Sequence, residues 1–152
     1  CLDIYGPIED ADYYGTCLSA ADELPSTVKV AYKGAVGQGD AARVFAGYDA
    51  FVFPTKSENY GHVIAEALSA GCPVIVSDQT PWTFEEYPDA GSALPLDSFD
   101  SWAEAIQDIV DSDASRMGPM RRAATEYFYS TARFEELRNN YTRALFQIKE
   151  KA

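Results

Sequence analysis

The sequence predicts one α/β domain built on a doubly wound parallel sheet, with helices on both faces. Short apolar runs typical of buried strands alternate with segments of helical periodicity along the whole chain. A length of 152 residues suits a single domain, and a hydrophobic fraction of 47% is sufficient for a packed core. We therefore expect residues 1–152 to form one domain.

Five short runs rich in β-branched and aromatic residues predict the strands. They cover Leu2–Tyr5, 28–32, 50–54, 73–77 and, more weakly, 92–96. Because helical patterns separate them, we expect parallel pairing through helical crossovers. None approaches the ~20 apolar residues that a membrane-spanning helix needs.

Helical patterns fill the intervals between the strands and the end of the chain. They predict helices over 11–23, 40–48, 61–70, 99–112 and 116–129. A further amphipathic helix is expected over 131–152, where apolar residues recur at helical spacing: Phe134, Leu137, Tyr141, Leu145 and Ile148.

Charge and cysteine content exclude several classes of protein. The net charge is −12, and residues 1–112 hold nineteen acids against four Lys and Arg, so nucleic acid is not an expected partner. Three widely spaced cysteines argue against a disulfide framework and predict a reduced, cytoplasmic setting. One histidine and no Cys-x-x-Cys pair predict no metal site, and no cofactor is expected.

The beginning of the chain indicates a piece of a longer protein. Cys1 is followed at once by a strand-like run, without an initiator Met, a basic region or a signal-like apolar stretch. We therefore expect further polypeptide upstream.

The most informative segment runs from Phe51 to Asp78. It reads as a buried strand, a polar loop, a helix ended by Gly71 and a second buried strand. We expect Ser57 or Asn59 to cap the helix. Its amino end, with free backbone amides and a helix dipole, would seat a phosphate, and Gly61 would let a ligand approach the backbone closely.

Two glutamates flank this predicted anion seat. Glu58 lies in the loop and Glu66 lies about a turn and a half inside the helix. Carboxylates accept hydrogen bonds only, which suits the vicinal hydroxyls of a ribose or a hexose. The pattern therefore predicts a ligand in which a phosphate lies between two sugars.

The same residues carry a resemblance to a known family. Residues 58–68 read Glu-Asn-Tyr-Gly-His-Val-Ile-Ala-Glu-Ala-Leu, and residues 70–75 read Ala-Gly-Cys-Pro-Val-Ile. These two segments resemble the signature of retaining family 4 glycosyltransferases of the GT-B fold. A looser resemblance to the same family covers roughly the first 110 residues. The resemblance implies a Rossmann-like C-terminal, donor-binding domain of a two-domain enzyme.

The resemblance also implies roles for individual residues. Glu66 would accept hydrogen bonds from the ribose of a nucleoside diphosphate, and Glu58, the catalytic candidate, would hold hydroxyls of the donor sugar. Lys33 and Gly34 would lie near the base. Backbone amides would contact the donor sugar and the distal phosphate at Asn59, Tyr60, Gly61, His62 and Val63.

The implied partners are a UDP- or GDP-sugar donor and an amino-terminal acceptor domain that this chain does not contain. Enzymes of this family usually carry an Arg and a Lys before the first strand, and only Lys33 and Lys56 lie where they could replace them. We therefore expect this chain alone to be inactive. Membrane association is left open for the full enzyme but is not expected of this fragment.

Several alternatives stay open at this point. Glu58 could be a nucleophile, although departure of the diphosphate with attack from the same face is favoured. His62 could be a general base, and Trp82 could serve either the core or the cleft. Instead of an enzyme fragment, the chain could be a non-catalytic nucleotide-sugar-binding or interaction module. A sugar-nucleotide epimerase would need a denser set of acids, with a histidine and a basic residue.

Overall fold

A computed structural model describes residues 1–37 and 39–149, with side chains as far as residue 131. Its contacts divide the chain into two compact units, residues 1–40 and 41–152. The expectation of one domain over 1–152 stays a prediction. Within the described residues, no helix is both long enough and apolar enough to cross a membrane.

The first unit is a β-α-β element. Strands β1 (Leu2–Tyr5) and β2 (Val30–Gly34) pair in parallel, and helix α1 (Ala11–Asp22) connects them. Parallel strands require such a crossover, which is why a helix lies between two short apolar runs. Asp10 caps α1, because its carboxylate accepts the Tyr13 backbone N–H at 2.8 Å.

The second unit contains a three-stranded parallel sheet in the order β3-β4-β5. The strands are β3 (Phe51–Phe53), β4 (Val74–Ser77) and β5 (Gly91–Leu94). The helices are α2 (Ala41–Phe45), α3 (His62–Ser69), α4 (Phe99–Val110) and α5 (Ala114–Lys149). All described strand pairs in both units are parallel, as the sequence predicts.

The core of the second unit lies between β4 and α3. Val74 and Val76 of β4 and Ile64 and Leu68 of α3 are all 0% exposed. Every residue of β4 is buried, as expected of a central parallel strand covered on both faces. Leu68 and Ile64 lie one turn apart, so α3 directs one apolar stripe at the sheet and leaves the opposite side exposed.

The two helical segments predicted over 116–129 and 131–152 are continuous in the structure as far as it is described. A single helix, α5, runs from Ala114 to Lys149, because no Gly or Pro interrupts the chain between the two predicted segments. Ser130 is tolerated inside it, since its hydroxyl donates back to the Tyr127 carbonyl at 2.8 Å. The predicted apolar stripe from Phe134 onward lies outside the described side chains. Residues 150–152 lie outside the described backbone.

Candidate functional site

Two segments leave the carboxyl edge of the three-stranded sheet side by side. The α3 loop, which we define as residues 54–61, follows β3 and enters α3. The β4 loop, residues 78–90, follows β4 and enters β5. Ligands of open α/β sheets bind at this edge, so these two loops form the candidate site.

The β4 side holds the α3 loop at several points. Ser77, at the end of β4 and 0% exposed, donates its hydroxyl to the Thr55 carbonyl at 2.5 Å. The Gln79 carbonyl accepts the Glu58 backbone N–H at 3.1 Å. The loop carrying Glu58 is therefore fixed to the neighbouring strand end through its backbone.

Trp82 makes a third connection of this kind. Its indole N–H donates to the Tyr60 carbonyl at 2.6 Å, and its side chain is 3% exposed. The ring packs edge-on against Tyr127 of α5, with centroids 5.7 Å apart. Of the two roles left open for Trp82, the structure thus places its ring in the core.

Helix α3 begins without a side-chain cap. Gly61 precedes it in the left-handed conformation, with φ 80° and ψ 58°, and no described side chain bonds to this helix end. The expectation that Ser57 or Asn59 caps the helix is wrong: the residue at the cap position is Gly61, and no described side chain makes a capping hydrogen bond there. The amino end of α3 therefore keeps donors available for a ligand.

Glu58 lies against this helix start. It is half-buried, and its Oε1 accepts the Asn59 backbone N–H at 3.1 Å. A Cβ added to Gly61 would lie 3.2 Å from the Glu58 Cγ, so the glutamate side chain packs close to the buried glycine. The structure thus brings Glu58 and the amides at the start of α3 into one place.

Glu66 lies on the exposed side of α3 and lines an open groove. The groove has a volume of about 390 Å³ and is lined by Tyr60, His62, Ala65, Glu66, Ser69 and Phe128. Two of the lining residues, Tyr60 and His62, pack their rings together with centroids 4.8 Å apart. Glu66 thus faces a cavity that starts at the amino end of α3.

Sequence reasoning missed part of this groove. Ser69 and Ala65 could have been found, because they share a helix side with His62 and Glu66. Phe128 lies about sixty residues further along the chain, and no local pattern connects it with Glu66. Only the packing of α5 on α3 places it in the groove wall.

Tyr127 of α5 packs against residues of the β4 loop. Its hydroxyl donates to the Thr83 carbonyl at 2.7 Å, and its ring contacts Trp82, Phe84 and Tyr87. Burial raises the pKa of Tyr127 above its ordinary value, although the bond to Thr83 acts in the opposite direction. Tyr127 is therefore a packing residue.

Lys33 and Gly34 belong to the first unit. The Lys33 Nζ lies 3.5 Å from the Asp3 Oδ2, and Gly34 adopts a left-handed conformation with φ 79° at the end of β2. Their predicted place near a base stays a prediction. In the parts of the chain with described side chains, no group of three or more His, Cys, Asp or Glu is arranged to hold a metal ion.

The chain is similar to curated D-inositol 3-phosphate glycosyltransferases. It is 33% identical over 110 residues to the protein of Mycobacterium marinum (strain ATCC BAA-535 / M), a match that covers 70% of this chain and 23% of that relative. It is 31% identical over 121 residues to the protein of Nocardioides sp. (strain ATCC BAA-499 / JS614), covering 76% of this chain and 26% of that one. The chain thus spans about a quarter of the length of these curated relatives.

Two solved structures share the fold. One is the pneumococcal O-GlcNAc transferase GtfA in complex with UDP and GlcNAc, with a TM-score of 0.63 and 18% identity over 94% of this chain and 29% of that chain. The other is the GtfA/B complex, with a TM-score of 0.60 and 22% identity over 84% of this chain and 26% of that chain. These likenesses confirm the predicted fold class, that of a GT-B glycosyltransferase domain.

The match to a family model covers most of the chain. The model described as Glycosyl transferases group 1 matches residues 2–130. That span includes the five described strands, the α3 loop, Glu66 and the aromatic residues Tyr127 and Phe128 of α5. The chain therefore belongs to the glycosyl transferases group 1 family.

Proposed function

We propose that this chain is the C-terminal, donor-binding domain of a retaining, family 4 glycosyltransferase that transfers a sugar from a nucleoside-diphosphate sugar to an acceptor hydroxyl. One observation carries the proposal: an uncapped helix start at Gly61 lies beside Glu58, and the residues on either side of Gly61, Tyr60 and His62, line a groove together with Glu66. Phosphates bind at such helix ends, and carboxylates bind sugar hydroxyls.

Each part of the donor has a matching group in this arrangement. The distal phosphate and the sugar contact the free amides at the start of α3, while Glu58 holds the sugar hydroxyls beside Gly61. Glu66 accepts hydrogen bonds from the ribose diol in the groove. The complex of GtfA with UDP and GlcNAc supports the assignment of this ligand class.

The chemistry follows from what the helix end can stabilise. The diphosphate leaves with its charge stabilised by amides and by cations, and the acceptor hydroxyl attacks from the same face of the sugar. Metal independence and a cytoplasmic setting are part of the proposal. The acceptor site and the principal cations would belong to other parts of the polypeptide, so the chain alone would not transfer sugar.

A nucleotide titration followed by backbone amide NMR tests the proposal, since the method detects millimolar affinity. With UDP, GDP, ADP and their sugar conjugates, we expect shifts at residues 59–66. Glu66→Gln should weaken binding by about 1.5–3 kcal/mol, the value of a hydrogen bond to a charged group. Glu104→Gln is the matched control, because Glu104 is also an exposed helical glutamate but lies on α4.

The outcomes separate the candidate functions. A folded chain that shows no shifts with any nucleotide contradicts the donor-binding role. The alternative, a non-catalytic nucleotide-sugar-binding module, predicts a different pair of results. This chain would bind the donor specifically, and the complete natural polypeptide would also bind it but would transfer no sugar to any hydroxyl or to water.

A further inference from the structure

The buried indole of Trp82 acts on the peptide that precedes the start of α3. Its Nε1–H donates to the Tyr60 carbonyl at 2.6 Å, and that carbonyl belongs to the peptide joining Tyr60 to Gly61. From this geometry we infer that Trp82 is a positioning residue, which orients the Gly61 backbone N–H toward the ligand. The inference rests on the proposed function.

The orientation follows from the planarity of the peptide bond. In a trans peptide the C=O and N–H point in opposite directions. Because the Tyr60 carbonyl is fixed toward the buried indole, the Gly61 N–H points in the opposite direction, away from the indole. Trp82 therefore adds a fixed donor to the free amides at the amino end of α3.

Trp82 cannot act by touching a ligand in the groove. Its side chain is 3% exposed, and its ring packs edge-on against Tyr60 and Tyr127 at 5.9 and 5.7 Å. It is not among the residues that line the groove. Its effect on a donor must therefore pass through the backbone that it holds.

The same indole also constrains the glycine next to the bond. A Cβ added to Gly61 would lie 3.1 Å from the Trp82 Nε1, so the ring closes one side of the left-handed turn. The hydrogen bond and the steric contact thus act on consecutive residues. Together they hold the one left-handed residue from which α3 starts.

A matched pair of substitutions isolates the hydrogen bond. Trp82→Phe keeps an aromatic ring and removes the N–H donor. Trp102→Phe is the control, because the Trp102 Nε1–H also donates to a backbone carbonyl, that of Pro95, at 2.9 Å. A second variant carries 3-benzothienylalanine at position 82, in which sulfur replaces the indole N–H and the ring keeps nearly the same shape. This variant tests the hydrogen bond even if Trp82→Phe does not fold.

Nucleotide titration by amide NMR gives the primary result. We expect Trp82→Phe and the benzothienyl variant to bind UDP or GDP about tenfold more weakly, with shifted Gly61 and His62 amide signals, while Trp102→Phe binds as the unmodified chain does. Equal affinity of the Trp82 variants and the unmodified chain would overturn the inference.

A second readout separates this inference from the proposed function. If the unmodified chain binds no nucleotide, the proposed function fails. Hydrogen exchange at the Gly61, His62 and Val63 amides then tests whether Trp82 fixes the turn before α3. Faster exchange in the Trp82 variants, but not in Trp102→Phe, supports this role, and unchanged exchange overturns it.

Discussion

Replacing Gly61 with alanine tests whether the left-handed start of α3 is obligatory. Gly61 has φ 80°, a conformation that costs an L-residue about 1–2 kcal/mol. The new methyl would also lie 2.8 Å from the Ile64 Cδ1 and 3.2 Å from the Glu58 Cγ. Because Ile64 is 0% exposed, its methyl has little space to move away.

These two effects set the expected magnitude. Overlap in a packed site costs about 1–3 kcal/mol, which adds to the conformational cost. The smaller entropy of an alanine-containing unfolded chain offsets less than about 1 kcal/mol. We therefore expect Gly61→Ala to lower the free energy of unfolding by about 1–5 kcal/mol.

Urea unfolding followed by far-UV circular dichroism measures the change, and two other glycines serve as controls. Gly34→Ala introduces a methyl at φ 79° with nothing within 4 Å, so it should show the conformational cost alone. Gly15→Ala lies in α1, also with nothing within 4 Å, and should be neutral or stabilising. A Gly61→Ala chain as stable as the Gly15→Ala chain would refute the reasoning.

Two further predictions concern pH. Burial raises the pKa of Cys72 from 9.0 to about 12, so the unfolded thiol ionises first, and the stability due to this group is complete below pH 9 and lost between pH 9 and 12. The unfolding free energy of the unmodified chain should therefore fall more steeply over that range than that of Cys72→Ala, by about 1.4 kcal/mol per pH unit, and parallel curves would contradict this. Hydrogen bonds from the Ser115 side chain and from backbone amides lower the pKa of Asp113, so its contribution is present above pH 3.8 and lost as pH falls below it. Asp113→Ala should be less stable than the unmodified chain at pH 7 and equally stable in strong acid, as measured by thermal unfolding; an unchanged difference in acid would exclude this cause.

Local patterns were sufficient to predict the strands and the position of α3. The run Val74–Ser77 is apolar enough for a fully buried strand, and the helix predicted over 61–70 is observed at His62–Ser69. Glu58 and Glu66 were identified because their spacing spans a loop and a helix start. These features depend on neighbours within about ten residues, which a sequence displays directly.

Contacts between distant segments could not be predicted in the same way. The bond from Trp82 to Tyr60 joins residues 22 positions apart, and Phe128 reaches the groove of Glu66 only because α5 packs on α3. The cap of α3 was wrongly assigned for a related reason. Polar residues before a helix suggest a side-chain cap, but the cap position of α3 is held by the left-handed Gly61, which has no side chain.

In the proposed function, the charges of this chain call for cations from another segment. The amino end of a helix stabilises an anion by only about 0.3–1 kcal/mol at an exposed position, and Glu58 and Glu66 repel a diphosphate while they bind hydroxyls. A cation at ~4 Å interacts several times more strongly than the helix end does. Lys33 is paired with Asp3 at 3.5 Å, and Lys56 is exposed on the α3 loop. In the proposed function, this chain therefore supplies the groups that recognise ribose and sugar, and cations from another segment would stabilise the leaving diphosphate.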